Sequence, residues 1–259
     1  MSLAQPSGFF GDLTTVAIRA LRSLLREPEA LIPALTIPMF FYAVNIGALQ
    51  DVAERFGEGL DFKAFQLPVA IIFAVTGVSR ANVLVIDIQT GYLDKLLVTP
   101  VKRAALLLGM MVADFVLVFC LSLLVSIVGL LVGVRFVSGV GGMLAFLLLS
   151  SAWGLAFTGF PYTIALRTGN PAAVNSSFLI FFPFAFLTSS FLPLDALTSW
   201  LQAIARWNPV TYLLEGLRSL ITEGWVSEDL LGALAAVAGI GVVTFAAAFQ
   251  ALERRVNAG

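Results

Sequence analysis

The sequence predicts an all-α membrane protein of six transmembrane helices, and three observations carry that reading. Of its 259 residues, 59% are hydrophobic and only 12% charged, with a mean hydropathy of +0.96; a soluble domain carries about 25% charged residues. Six stretches approach the ~20 mostly apolar residues that a helix rising ~1.5 Å per residue needs to cross a hydrocarbon core of ~30 Å. The Lys and Arg residues between those stretches gather on one side.

The first element precedes the spans. Leu13, Val16, Ala17, Ala20, Leu21, Leu24 and Leu25 recur at helical spacing, with Arg19, Arg22 and Arg26 on other faces, which predicts an amphipathic surface helix within 8–28. Asp12 is its expected N-cap, and Pro28 marks the corner where the chain enters the membrane. Such a helix serves either as a lipid anchor or as a contact for a partner, and the residues admit both. The first ten residues lack the basic region and apolar core of a cleavable signal, so the first span is expected to direct insertion.

The spans fall near 30–49, 66–86, 105–134, 142–166, 172–192 and 230–250, one membrane unit over 1–259 with its bundle within 30–250. An even count puts both termini on one side. Termini inside gives nine cytoplasmic cations (Arg19, Arg22, Arg26, Lys95, Lys102, Arg103, Arg167, Arg254, Arg255) against five outside (Arg55, Lys63, Arg135, Arg206, Arg218). Because cytoplasmic loops retain positive charge, both termini are expected in the cytoplasm of a cell membrane, in the first instance a bacterial one.

Two loops are distinctive. The segment DIQTGYLDKLLVTPVKR, 87–103, follows the second span, and Gly91 and Pro100 bracket a short helix in it. Tyr92, Leu93, Leu96 and Leu97 give that helix an apolar edge, while Asp94, Lys95, Lys102 and Arg103 stay wet. Between the fifth and sixth spans, 193–225 predicts a re-entrant hairpin of two short helices, the second capped by Asn208 with Pro209 in its first turn. Glu215 and Arg218, three apart there, can pair. Trp200, Trp207, Tyr212 and Trp225 suit the membrane interface.

Several chemistries are excluded or disfavoured. The chain contains no histidine and no GxxxxGK[ST], HExxH or GxSxG pattern, so neither a metal site nor an ATP-phosphate cradle of its own is expected. A formal net charge of −1 argues against a nucleic-acid partner. The single cysteine, Cys120, lies in the third span and can form no intrachain disulfide.

Charges within spans are the remaining leads, since each costs about 2.5–3.5 kcal/mol on insertion scales. Arg80 and Asp114 lie at comparable depths of the second and third spans and are expected to pair, with Asp87 two turns from Arg80 as a possible third member. Eleven Leu, Ile, Val and Phe residues between 67 and 86, at about −0.3 to −0.6 kcal/mol each, offset the arginine. The pair reads as a structural brace or as a substrate or proton site. The fifth span concentrates Phe178, Phe181, Phe182, Phe184, Phe186 and Phe191, with Pro183 expected to kink it; these rings either pack or line a path for a lipid- or drug-sized molecule.

Three segments together resemble a known family: the loop at 87–103, LRTGNPAAVNSS at 166–177, and FLPLDALTSWLQAIARWNPVTYLLEGLRSL at 191–220. The aromatic-Leu-Pro exit through Pro193, Trp200-Leu201, and Asn208-Pro209-Val210-Thr211 ahead of Arg218 are similar, in that order, to the type-2 permeases of ATP-binding-cassette exporters, especially daunorubicin-resistance-like ones. The resemblance covers nearly the whole chain. It implies a dimer, with itself or a sibling permease, bound to two cytoplasmic ATPase subunits that hold the ATP and Mg; this chain would bind no cofactor. It also implies docking through Arg19, Arg22, Arg26 and a coupling helix spanning Asp87, Gly91, Tyr92, Leu93, Asp94, Lys95 and Leu96. The hairpin would close the outer end of the pathway. The chain's aromatics are mostly Phe, with four Tyr and four Trp, which favours a hydrophobic drug or lipid over a polysaccharide or lipid-linked glycan. A secondary carrier, which should show repeats that are not seen here, and a non-transporting scaffold or immunity factor are the other readings.

Overall fold

The computed structural model describes residues 8–24, 28–56, 61–97 and 103–258. Leu25, Arg26, Pro100 and Lys102 lie outside them. Helix is the only regular secondary structure among the described residues, which contain no strand: α1 (Phe9–Leu24), α2 (Pro28–Phe56), α3 (Phe62–Val75), α4 (Ala81–Gln89), α5 (Tyr92–Leu97), α6 (Arg103–Val132), α7 (Gly139–Thr168), α8 (Pro171–Ser176), α9 (Phe181–Phe186), α10 (Ser199–Ala205), α11 (Pro209–Thr222) and α12 (Ser227–Ala258). The first helix begins at Phe9, so Asp12 lies within it and is not its cap.

Four helices are long and apolar enough to cross a membrane, within α2, α6, α7 and α12. The other two expected spans are not continuous helices. The stretch 66–86 divides into α3 and α4, because Thr76-Gly77-Val78-Ser79 interrupts the apolar run and Gly77 takes φ +85°, a left-handed conformation that costs a glycine nothing. The stretch 172–192 is helical only from Pro171 to Phe186, through α8, a 3₁₀ turn (Ser177–Ile180) and α9. Pro183 therefore sits inside the short α9 and kinks no long helix. Beyond it Leu187 leaves the helix at φ −86°, ψ 50°, and Thr188-Ser189-Ser190 supplies polar groups in place of a helical ladder.

The bundle is organised around α7, which packs along α12 and also meets α6, α3, α4 and α11. In hydrocarbon, helices associate by close packing more than by water exclusion, so small residues mark the contacts. A Cβ on Gly159 of α7 would lie 2.6 Å from the Thr244 carbonyl carbon of α12, and the Thr244 hydroxyl donates to the Ala156 carbonyl. Gly216 brings α11 equally close to α12 at Ala233, and Gly109 of α6 takes the Val16 side chain of α1.

Two apolar clusters result. The larger joins α3, α6, α7, α11 and α12 through residues such as Ile71, Trp153, Phe146 and Leu217. The second lies toward α1 and α5, where Leu84, Leu93, Leu107, Tyr162 and Leu252 meet. The second helix is the least embedded, with Ile32, Ile37, Phe40, Phe41 and Val44 all exposed on the protein surface.

Since Gly159 leaves no room for a side chain, Gly159→Val should destabilise the protein by about 1–3 kcal/mol, the usual range for overpacking. Thermal unfolding in detergent measures it, and an unchanged melting temperature would contradict the close approach of α7 and α12.

Candidate functional site

A span interrupted in the membrane must satisfy its freed backbone groups from within the protein. At the first break, Thr76 ends α3 by donating its amide to the Ile72 carbonyl, and its hydroxyl accepts from the indole Nε1 of Trp153 on α7 at 2.9 Å. Four residues on, the Arg80 amide donates to Asp114 Oδ1 of α6 at 2.9 Å, and the second carboxylate oxygen accepts from the Tyr162 hydroxyl of α7 at 2.6 Å. Asp114, Tyr162 and Trp153 are at most 1% exposed. Both ends of the break are thus fixed to α6 and α7.

The second break is satisfied in the same way. Asn208 accepts from the Val210 amide as N-cap of α11, while its Nδ2 donates to the carbonyls of Phe184 (2.7 Å) and Leu187 (2.8 Å). Arg218 donates to the Ser189 carbonyl at 2.7 Å, to its hydroxyl at 3.1 Å, and to the Phe65 carbonyl at 3.2 Å, with the guanidinium carbon 3.5 Å from the centre of the Phe65 ring. Gln66 of α3 donates to the Ser190 carbonyl at 2.9 Å, and the Ser190 hydroxyl to that of Ala185. The irregular backbone after α9 is therefore held by α3 and α11.

Between the two breaks and α2 lies a cavity of about 290 Å³. Phe178, Phe182, Phe186 and Phe191 form one wall, Phe41 and Tyr42 of α2 face them, and Thr76 and Gly77 close a third side. Among the described residues, none that lines it carries a charge. Toward α1, the Arg19 guanidinium forms an ion pair with Asp87 at 2.9 Å and lies 4.4 Å from the centre of the Tyr92 ring. Gly91, at φ +68°, turns the chain from α4 into α5.

The profile of the ABC-2 type transporter family matches residues 12–222. The chain belongs to that family. Curated relatives include the "Probable doxorubicin resistance ABC transporter permease protein DrrC" of Mycobacterium tuberculosis, 26% identical over 87% of this chain and 82% of that one. The daunorubicin resistance ABC transporter permease protein DrrB1 of Streptomyces coeruleorubidus is 27% identical over 93% of this chain and 85% of its own length. The linearmycin resistance permease protein LnrN of Bacillus subtilis is 25% identical over 82% of this chain and 54% of its own.

In this permease, Arg80 and Asp114 do meet, through the main-chain amide of Arg80. Asp87 lies away from them and pairs with Arg19, a correction that follows from α4 ending near α1. The expected Glu215–Arg218 pair does not form among the described residues, because Arg218 turns to the carbonyls of Phe65 and Ser189. Burial raises the pKa of the Glu215 carboxyl, Asp229 adds to the rise, and Arg218 opposes it. The edge Leu93–Leu96 faces the bundle, with Leu93 3% exposed, whereas Tyr92 and Lys95 are exposed and Arg22 is exposed on α1. Asp94 lies within α5. Phe181 is fully buried against Phe73 and Phe157, outside the cavity lining. Phe191 and Pro193 lie at the exposed exit beyond Ser190, and Pro209 opens α11 as the Asn-Pro pattern predicts.

The sequence reading missed Thr76, Gly77, Trp153, Tyr162 and Ser189. One signal was present: a Thr-Gly within an apolar run points to a break, and a break needs donors and acceptors from its neighbours.

Two outcomes follow. Asp114→Asn should be tolerated, since its Oδ1 can accept from the Arg80 amide while its Nδ2 donates to a rotated Tyr162 hydroxyl, whereas Asp114→Leu should cost about 1–3 kcal/mol for each orphaned donor; exchanging the charges of residues 80 and 114 should not rescue, because a cation would face the main-chain amide donor of residue 80. Thermal melts of the three variants decide this. Separately, Asn208→Asp keeps the helix cap but loses both carbonyl contacts, so it should retain part of the stability lost in Asn208→Ala, about 1–3 kcal/mol in the latter; equal losses would show that the carbonyl contacts alone matter and the cap does not.

Proposed function

We propose that this chain is the membrane half of an ATP-driven exporter, carrying a hydrophobic drug or lipid-like molecule outward with ATP hydrolysed by separate nucleotide-binding subunits. The single observation that carries the reading is the uncharged, phenylalanine-walled cavity bounded by two interrupted spans. A cavity of that lining favours aromatic or aliphatic cargo over a heavily hydroxylated one, whose polar groups would find few partners. Relatives named for resistance to doxorubicin, daunorubicin and linearmycin support the same class.

On this reading both termini lie in the cytoplasm, and the functional unit is two permease chains with two ATPase subunits. The exposed side of α5, with Tyr92 and Lys95, and the exposed arginines of α1 receive the ATPase. Motion then enters through α5 and α4. The hairpin of α10 and α11, fixed to α3 and to the segment after α9 by Arg218 and Asn208, closes the outer end. Asp114 and Arg80 act as a brace, for their groups are engaged with backbone and Tyr162. ATP and Mg belong to the partner.

The test is co-purification of the permease with a cognate nucleotide-binding subunit, followed by ATP-dependent dye export from vesicles. Tyr92→Asp combined with Lys95→Glu should abolish co-purification and export while the thermal melt of the isolated permease stays unchanged. Because Leu93 is turned inward, Leu93→Asp should instead lower that melt. Undiminished co-purification of the Tyr92/Lys95 variant counts against this docking face, and cargo accumulation by the permease alone under an ion gradient counts against the exporter reading itself.

A further inference from the structure

The cavity and the α5 end of the molecule are about one helix apart, and one short element touches both. Gly77, in the break after α3, lies directly against the Phe178 ring: a Cβ built there would overlap the ring atom Cδ2 and lie 3.1 Å from Cε2. Both residues line the cavity. On the far side of the same break, α4 carries Asn82, whose Nδ2 donates to Asn175 Oδ1 of α8 at 2.7 Å, shortly before Phe178. The other end of α4 carries Asp87, tied to Arg19.

We propose that residues 76–80 are a joint, and that Gly77 and Phe178 are positioning residues that carry displacement of the α4–α5 arm into the aromatic wall of the cavity. Trp153 and the Asp114–Tyr162 pair, buried on α7 and α6, are its bearing. Close-packed interiors respond to a shift by switching between packings, not by yielding smoothly. A glycine in contact with a ring edge transmits such a shift, since no side chain between them can absorb it. The Asn82–Asn175 hydrogen bond makes α4 and the start of the phenylalanine wall move together. The inference rests on the exporter reading for its purpose, but its geometry and its test do not need an ATPase or a cargo.

The experiment uses the full chain in lipid nanodiscs, with Cys120→Ser and a bimane fluorophore attached at Phe182→Cys, an exposed position of the cavity wall. Breaking the distant ion pair with Asp87→Asn should shift the emission maximum of the probe. Arg19→Gln, which breaks the same pair from its exposed side, should give the same shift and guards against misfolding of the first variant. Adding Asn175→Ala and Phe178→Leu should abolish the shift. Unchanged emission in both ion-pair variants, or a shift that persists after Asn175 and Phe178 are altered, overturns the joint. Either result leaves the exporter reading standing, which fails instead if no nucleotide-binding subunit co-purifies or if the permease alone accumulates cargo under an ion gradient.

Discussion

Backbone that leaves a helix inside hydrocarbon has to find its hydrogen-bond partners in protein, and everything distinctive about this molecule follows from that constraint. Two of its six expected crossings are interrupted, and each interruption is matched by side chains from elements that stay regular. Asp114 is the centre of the first match. Its two oxygens receive a main-chain amide and a phenol, so a charged group that would be costly alone becomes the part that holds α4, α6 and α7 in register. Removing any one of the three would leave a polar group without a partner at a depth where water does not compensate.

The second match works with donors in place of an acceptor. Leu187, Ser189 and Ser190 expose carbonyls that no helix serves, and Asn208, Arg218 and Gln66 each supply an N–H to one of them. Arg218 also stacks on Phe65, which lets a cation sit among rings with its charge shared by several dipoles. The helix α11 is consequently part of the bundle and not an appendage, since Asn208 and Arg218 complete a neighbouring segment of backbone.

Much of the fold was legible in composition and spacing. The regular spans announce themselves by length alone, and Asn208-Pro209 announces a helix start because both residues have a local preference that needs no tertiary partner. The breaks were less legible. An apolar window of about twenty residues reads as a helix even when a Thr-Gly in its middle allows an exit, and whether the exit is used depends on Trp153 and Tyr162, more than seventy residues downstream of it. Arg80 and Asp114 do meet, but the spacing of two charges in sequence does not foretell that the carboxylate serves a main-chain amide. Asp87 and Arg218 were assigned to near neighbours in sequence, and tertiary geometry gave both to distant ones.

One wall of the aromatic chamber belongs to α2, the helix least enclosed by the rest of the chain. Its outward side meets whatever lies beside the molecule, so the width of the chamber is set jointly by protein contacts and by lateral pressure from that neighbour. On the exporter reading, acyl-chain length and fluidity of the host bilayer thereby become determinants of what fits, and a membrane that stiffens with growth temperature or lipid composition would retune selectivity without any change of sequence.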